Sequence, residues 1–167
     1  MRTTLLSNLR SPGRGLFFTF LLVLVVILSG TASNVLASSA VKSKLAEKSL
    51  LLDVVSVEGL VVAVGERGHV LRSEDSGKSW HQAEVPTRAT LTGVFFHDTS
   101  LGWAVGHDQV ILRTRDGGKN WQQVFSAPEE ETPLLDVLFA DAEQGYAIGA
   151  YGLFLEACAM LQKQKAF

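Results

Sequence analysis

Two eight-residue stretches, Ser73-Glu74-Asp75-Ser76-Gly77-Lys78-Ser79-Trp80 and Thr114-Arg115-Asp116-Gly117-Gly118-Lys119-Asn120-Trp121, share the pattern S/T-x-D-x-G-x-x-W, and position 73 recurs 41 residues on at 114. A repeat of about 40–45 residues is the signature of a β-propeller blade built from four strands.

The repeat extends upstream of the boxes. Ala63-Val64-Gly65, Ala104-Val105-Gly106 and Ala147-Ile148-Gly149 align, and Asp98…Gly102-Trp103 recurs as Asp141…Gly145-Tyr146. Two units are complete and a third has begun. Within the first unit, residues 51–57, 60–64, 69–73 and 79–85 read as short strands, rich in β-branched residues and divided by Gly, Asp and Ser. The second unit repeats them at 91–96, 102–105, 110–114 and 120–125. Near-continuous apolar runs in the first two strands of a unit predict burial on both faces, as where neighbouring blades pack sheet on sheet. The fold class is therefore all-β, with propeller blades of four antiparallel strands: about two complete blades and a partial third.

Each box has a mechanical reading as the hairpin turn between the third and fourth strands. Asp75 and Asp116 accept from turn amides, Gly77 and Gly118 take a positive φ, Ser73 and Thr114 add a hydroxyl, and Trp80 and Trp121 pack beside the turn. An Asp that holds a turn is poorly placed for proton chemistry. These eight residues are read as structural, with no catalytic residue among them.

The chain has 15 Lys and Arg against 17 Asp and Glu. Arg2, Arg10 and Arg14 precede an apolar run at 16–28 and no acid comes before Glu47, so the remaining 12 cations face all 17 acids, a net of −5. That balance disfavours nucleic acid, which needs a basic face to displace counterions. The 13-residue run is short for a membrane span, which needs about 20. With its arginines and the small residues that follow, it reads as a cleaved Sec-type signal peptide over 1–40, cut after Ala37 or Ala40, in preference to an uncleaved anchor. The exported chain would then be periplasmic, or lie in the equivalent thylakoid lumen. Residues 41–49, with Lys42, Lys44, Glu47 and Lys48, form a linker that feeds the first strand, with a short helical turn as the alternative. Blades are expected over 50–86 and 89–128, a partial blade over 132–155, and a tail over 156–167. About 130 residues suffice for roughly three blades, where closed propellers use about 4–8.

With these motifs in hand, S/T-x-D-x-G-x-x-W resembles the Asp-box, or BNR repeat. Joined to Leu101-Gly102-Trp103-Ala104-Val105-Gly106 and Ile111-Leu112-Arg113-Thr114, it resembles the photosystem II stability/assembly factor family over residues 50–155. The resemblance implies a seven-bladed, non-enzymatic propeller. In oxygenic phototrophs such proteins bind early assembly intermediates of photosystem II on the lumenal side, and relatives are exported to the periplasm of other bacteria. It implies a protein partner, a subunit of a membrane complex, and no cofactor.

Asp-boxes also occur in sialidases and other glycosidases, so a fragment of such an enzyme is the alternative. A sialidase gathers an arginine cluster, a Tyr nucleophile and acidic helpers from several blades. Here Arg67, Arg72, Arg88, Arg113 and Arg115 are available, and Arg72 and Arg113 share one repeat position, which marks a blade feature. No small-molecule substrate is evident. His69, His81, His97 and His107 do not recur at metal-ligand spacing, so they read as solvated or hydrogen-bonded strand histidines and no metal is expected. Cys158, the single cysteine, is an unpaired thiol. Glu129-Glu130-Glu131 reads as a solvated loop between blades, in preference to an acidic contact for a basic partner.

A binding surface belongs where loops of several repeats converge. Glu66-Arg67, His107-Asp108 and Ala150-Tyr151 occupy one short loop in successive repeats, so Glu66, Arg67, His107, Asp108 and Tyr151 form a candidate partner rim. At the C-terminus, the register from Gly149 places Ala157, Ala159, Leu161 and Gln164 at the four box positions, with Glu156 where Arg72 and Arg113 stand. Loss of all four together predicts a truncated propeller ending in a helix-favouring tail from Glu156.

Overall fold

A computed structural model describes residues 38–158. Residues 1–37 of the expected signal peptide and the box positions 159, 161 and 164 lie outside them.

Among the described residues, eleven strands make three antiparallel sheets. The first holds β1 (Leu51–Val57), β2 (Leu60–Gly65), β3 (Val70–Ser73) and β4 (His81–Gln82), in that order. The second holds β5 (Leu91–Phe96), β6 (Gly102–Gly106), β7 (Ile111–Thr114) and β8 (Gln122–Phe125), also in order. The third holds β9 (Leu134–Phe139), β10 (Gln144–Gly149) and β11 (Phe154–Cys158). The first strands of the sheets stand side by side, with β5 against both β1 and β9. Each sheet is one blade, and the blades stack in chain order.

The middle blade shows why its strands are apolar almost throughout. Val94, Ala104 and Leu112 point to the first blade, where they meet Leu60, Val62, Val64 and Val70. Their alternate neighbours Trp103, Val105 and Ile111 point to the third blade, against Leu134, Val137, Phe139 and Ala147. Successive side chains on a strand face opposite ways, so a blade between two others must be apolar on both faces. Trp103 stacks on Phe139 with ring centroids 3.6 Å apart and 9° between planes.

Three expectations about the strands need correction. β1 is not buried on both faces: Val55 and Val57 pack against the second blade, while Leu52 and Val54 on the alternate side are exposed. The same period-2 rule explains it, because among the described residues no blade covers that side. The outer strands begin later than 79 and 120, since the box side chains take the amides of Gly77, Lys78, Ser79, Gly118 and Asn120 out of the ladder, and the first also ends at Gln82, short of 85. Glu156 and Cys158 belong to β11, paired with Tyr146 and Gln144, instead of opening a helical tail. Pairing with an exposed sheet edge has overridden local helix propensity there.

The segment 41–49 is also more than a tether. The Ala40 amide donates to the Val85 carbonyl at 2.9 Å, the Ser43 amide donates to Gln82 Oε1 at 2.8 Å, and Lys42 pairs with Glu84 at 3.1 Å. The segment therefore runs along the outer side of the first blade before a 3₁₀ turn at Ala46–Lys48 leads to β1.

Candidate functional site

Strand direction separates the two groups of candidate residues. The rim loops join the second strand of a blade to the third, whereas the boxes join the third to the fourth, so they lie at opposite ends of every blade.

At the box end, Ser73 Oγ accepts from the Gly77 amide at 2.8 Å and donates to Asp75 Oδ1 at 2.7 Å. Asp75 Oδ1 accepts from the amides of Lys78 and Ser79, and Oδ2 accepts from the Ser79 hydroxyl. Thr114 and Asp116 repeat this: the Gly118 amide donates to Thr114 Oγ1 at 2.9 Å, and the Asn120 amide to Asp116 Oδ1 at 3.0 Å. Gly77 and Gly118 have φ of 88° and 78°, where a side chain would be strained. Trp121 is buried and donates from Nε1 to the Gly118 carbonyl at 3.1 Å, while Trp80 is half-buried beside Gly77. The Ser79 hydroxyl, then Ser73 and the turn amides, hold the Asp75 carboxyl far below the usual range. At Asp116, burial is the largest single influence and opposes ionisation, yet the bonds from Asn120, Thr114 and Lys119 together outweigh it and lower the carboxyl. Both carboxylates are spent on their turns.

At the rim end, the three loops are backbone copies. Each is a 3₁₀ turn, Glu66–Gly68, His107–Gln109 and Ala150–Gly152, with φ near +57° at Arg67, +59° at Asp108 and +56° at Tyr151. The first amide of each turn donates to the chain just before the blade's first strand: Glu66 to Leu50 O at 3.0 Å, His107 to Thr90 O at 2.9 Å and Ala150 to Pro133 O at 3.0 Å. A Cβ on Gly65 or Gly106 would lie 2.0 or 2.1 Å from the Leu50 or Thr90 carbonyl oxygen, which is why the Ala-aliphatic-Gly signature ends in glycine. Arg67, His107, Asp108 and Tyr151 are exposed, and Glu66 is half-buried, its Oε1 accepting from the Leu50 amide. The turn after β2 touches β5, and the turn after β6 touches β9, so the loops follow one another along a single end of the stack. A cation, an anion and an aromatic ring sit at matched positions on rigid, identical backbones.

Sequence reasoning missed three elements. The Leu50, Thr90 and Pro133 carbonyls that pin the rim carry no side-chain signal. Asp53 Oδ2 accepts from the Val94 amide at 2.8 Å and so ties the first blade to the second. His69 is neither solvated nor fully hydrogen-bonded: it is 4% exposed and its Nδ1 has no partner among the described residues. Its repeat equivalents, Val110 and Leu153, are aliphatic, a contrast readable in the sequence alone. No three His, Cys, Asp or Glu side chains converge as a metal site would require, among the described residues.

The family model described as Photosynthesis system II assembly factor YCF48 matches residues 72–156, just over half of the chain. The chain belongs to that family. The match spans both boxes and runs into β11, so Glu156 lies inside it. Among solved structures, YCF48 bound to D1 peptide superposes with a TM-score of 0.60 at 20% identity, covering 70% of this chain and 39% of that one. YCF48 from Cyanidioschyzon merolae gives 0.60 at 24% identity, with 71% and 39% covered. At these identities the likeness is one of fold, and the chain spans about two fifths of each of those proteins. No curated protein matches. Within that family, the described residues supply three consecutive blades, the first two with intact boxes.

Proposed function

We propose that this chain acts, without catalysis, as an exported binding and assembly factor for a photosynthetic membrane complex, holding a protein partner at the rim of its blades. The observation that carries the reading is the family match across both boxes. A YCF48 structure solved with D1 peptide supports a peptide-binding role for the fold. The geometry is consistent with it: the box carboxylates are committed to turns, while Arg67, His107, Asp108 and Tyr151 stand free at the other end on braced loops. The apolar leader supports export, and intact mass of the exported protein would show cleavage after Ala37 or Ala40; a product beginning at Met1 would overturn that part.

Affinity recovery from photosynthetic membranes tests the partner. The wild-type chain should retain photosystem protein, and a variant with Glu66, Arg67, His107, Asp108 and Tyr151 all changed to Ala should lose it. Equal recovery by both would remove the rim from the proposal. Hydrolysis of a fluorogenic sialoside by the purified chain would replace it with the glycosidase reading.

A further inference from the structure

The cleft between the N-terminal segment and the first blade inverts the charge of the molecule. Beyond the leader the chain is net negative, yet this cavity of about 640 Å³ is lined by Lys42, Lys44, Lys48, Arg67 and Arg88 against a single acid, Glu66. Lys42 is paired with Glu84, whereas Lys44, Lys48, Arg67 and Arg88 have no ion-pair partner among the described residues. These cations come from three separate pieces of chain: the segment packed on β4, the first rim loop, and the connection into β5. Like charges brought together without counter-charges repel, so the arrangement favours an incoming anion.

The cleft has a second and independent mark. His69 also lines it, and its buried Nδ1 has no partner among the described residues. Its backbone does what its equivalents do, since the His69 amide donates to Glu66 O as Val110 donates to His107 O. The fold therefore asks only for an apolar side chain here, as Val110 and Leu153 supply. An imidazole that replaces an aliphatic side chain in a cleft wall is costly unless it finds a hydrogen-bond partner, and the cleft is where one would arrive.

We infer that this cleft binds an acidic peptide segment of the partner protein, with carboxylates held by Lys44, Lys48, Arg67 and Arg88 and by a hydrogen bond from the His69 imidazole. The inference rests on the reading of the chain as a protein-binding factor and names the chemistry of one contact. A lone phosphate would fill a small part of such a volume, whereas an extended chain with several carboxylates reaches cations on three segments at once. Nucleic acid is opposed by the acidic remainder of the surface.

The test is calorimetric titration of the whole chain with amidated hexaglutamate, beside hexaglutamine, inorganic phosphate and phosphatidylglycerol vesicles. Hexaglutamate alone should bind, more weakly as salt rises. His69→Val should weaken it about tenfold, the scale of one charge-assisted hydrogen bond, and the combined Lys44→Gln, Arg67→Gln and Arg88→Gln variant should weaken it at least as much. The charge variant changes exposed residues, so its melting curve should match wild type even if His69→Val perturbs folding. Unchanged hexaglutamate affinity in that variant, or equal binding of phosphate or vesicles, overturns the inference. The membrane recovery experiment separates the two proposals. A chain that retains photosystem protein without binding hexaglutamate overturns the cleft alone, and one that binds hexaglutamate through these residues without retaining photosystem protein overturns only the assembly role.

Discussion

The Arg72 guanidinium, on the third strand of the first blade, donates from Nε to the Gly117 carbonyl in the second blade's box at 3.0 Å. Its Nη2 also holds Glu74 at 2.7 Å, and Glu74 reaches Lys119 at 3.5 Å. One buried arginine thus latches a blade to the turn of the next. The Arg72 hydrogen bond and charge are the leading causes that lower the Glu74 carboxyl. Arg72→Leu should destabilise by about 1–3 kcal/mol, because the Gly117 carbonyl loses its donor. Arg72→Lys should not restore it, since an ammonium lacks the fork that serves two acceptors. Denaturant midpoints of the three proteins check this, and recovery by lysine would contradict it.

Asp53 makes the matching link between first strands, accepting from the Val94 amide. In Asp53→Ala the Val94 amide loses its acceptor. Its hydrogen exchange should accelerate selectively, while amides inside the third blade keep their protection. Uniform acceleration would mean that the bond supports global stability instead of this one blade contact.

The boxes should act as stability elements. Asp116→Ala removes the acceptor of the Asn120 amide and should cost about 1–3 kcal/mol. Partner recovery should remain at the wild-type level under conditions where the variant is folded. A denaturant midpoint equal to wild type would show that the aspartate is not the turn's acceptor.

Two rim glycines should respond differently to alanine. At Gly106 the new Cβ meets backbone, Thr90 O at 2.1 Å and Leu91 Cα at 2.8 Å, so Gly106→Ala should cost about 3 kcal/mol or more. At Gly152 nothing lies within 4 Å and the cost is that of φ +79° for a residue with a side chain, about 1–2 kcal/mol. Thermal melts that reverse this order would contradict the close approach.

Acid should weaken the fold through its turn carboxylates. The Ser100 hydroxyl, aided by the Leu101 and Ser100 amides, lowers Asp98 to about 2, against roughly 3.9 unfolded. A depressed native value means that its stabilisation is complete above about pH 4 and is lost as pH falls toward 2. Asp75, Asp116 and Asp141 are lowered as well and add to the same side. Melting temperature should therefore drop across that window, and Asp98→Asn should make the drop shallower. An unchanged pH profile in Asp98→Asn would show that Asp98 contributes nothing to it.

The amino-acid sequence by itself determined the blade, its period and its turns. These are local or periodic properties: Asp75 bonds residues 73, 78 and 79, and Ser73 bonds residues 75 and 77, all within one stretch of chain. The alignment of three Ala-aliphatic-Gly signatures likewise fixed three equivalent rim loops, because one backbone solution is used three times. What faces what was decided only in three dimensions. Leu52 and Val54 look like core residues in the sequence and stand exposed, because alternation on a strand does not reveal whether a neighbouring blade is present. Arg72 reaches 45 residues along the chain, and Asp53 reaches 41, with nothing in either local pattern to show it. The cationic cleft is the clearest case: Lys44, Arg67 and Arg88 are scattered charges until the segment before β1 folds back on the first blade and brings them beside His69.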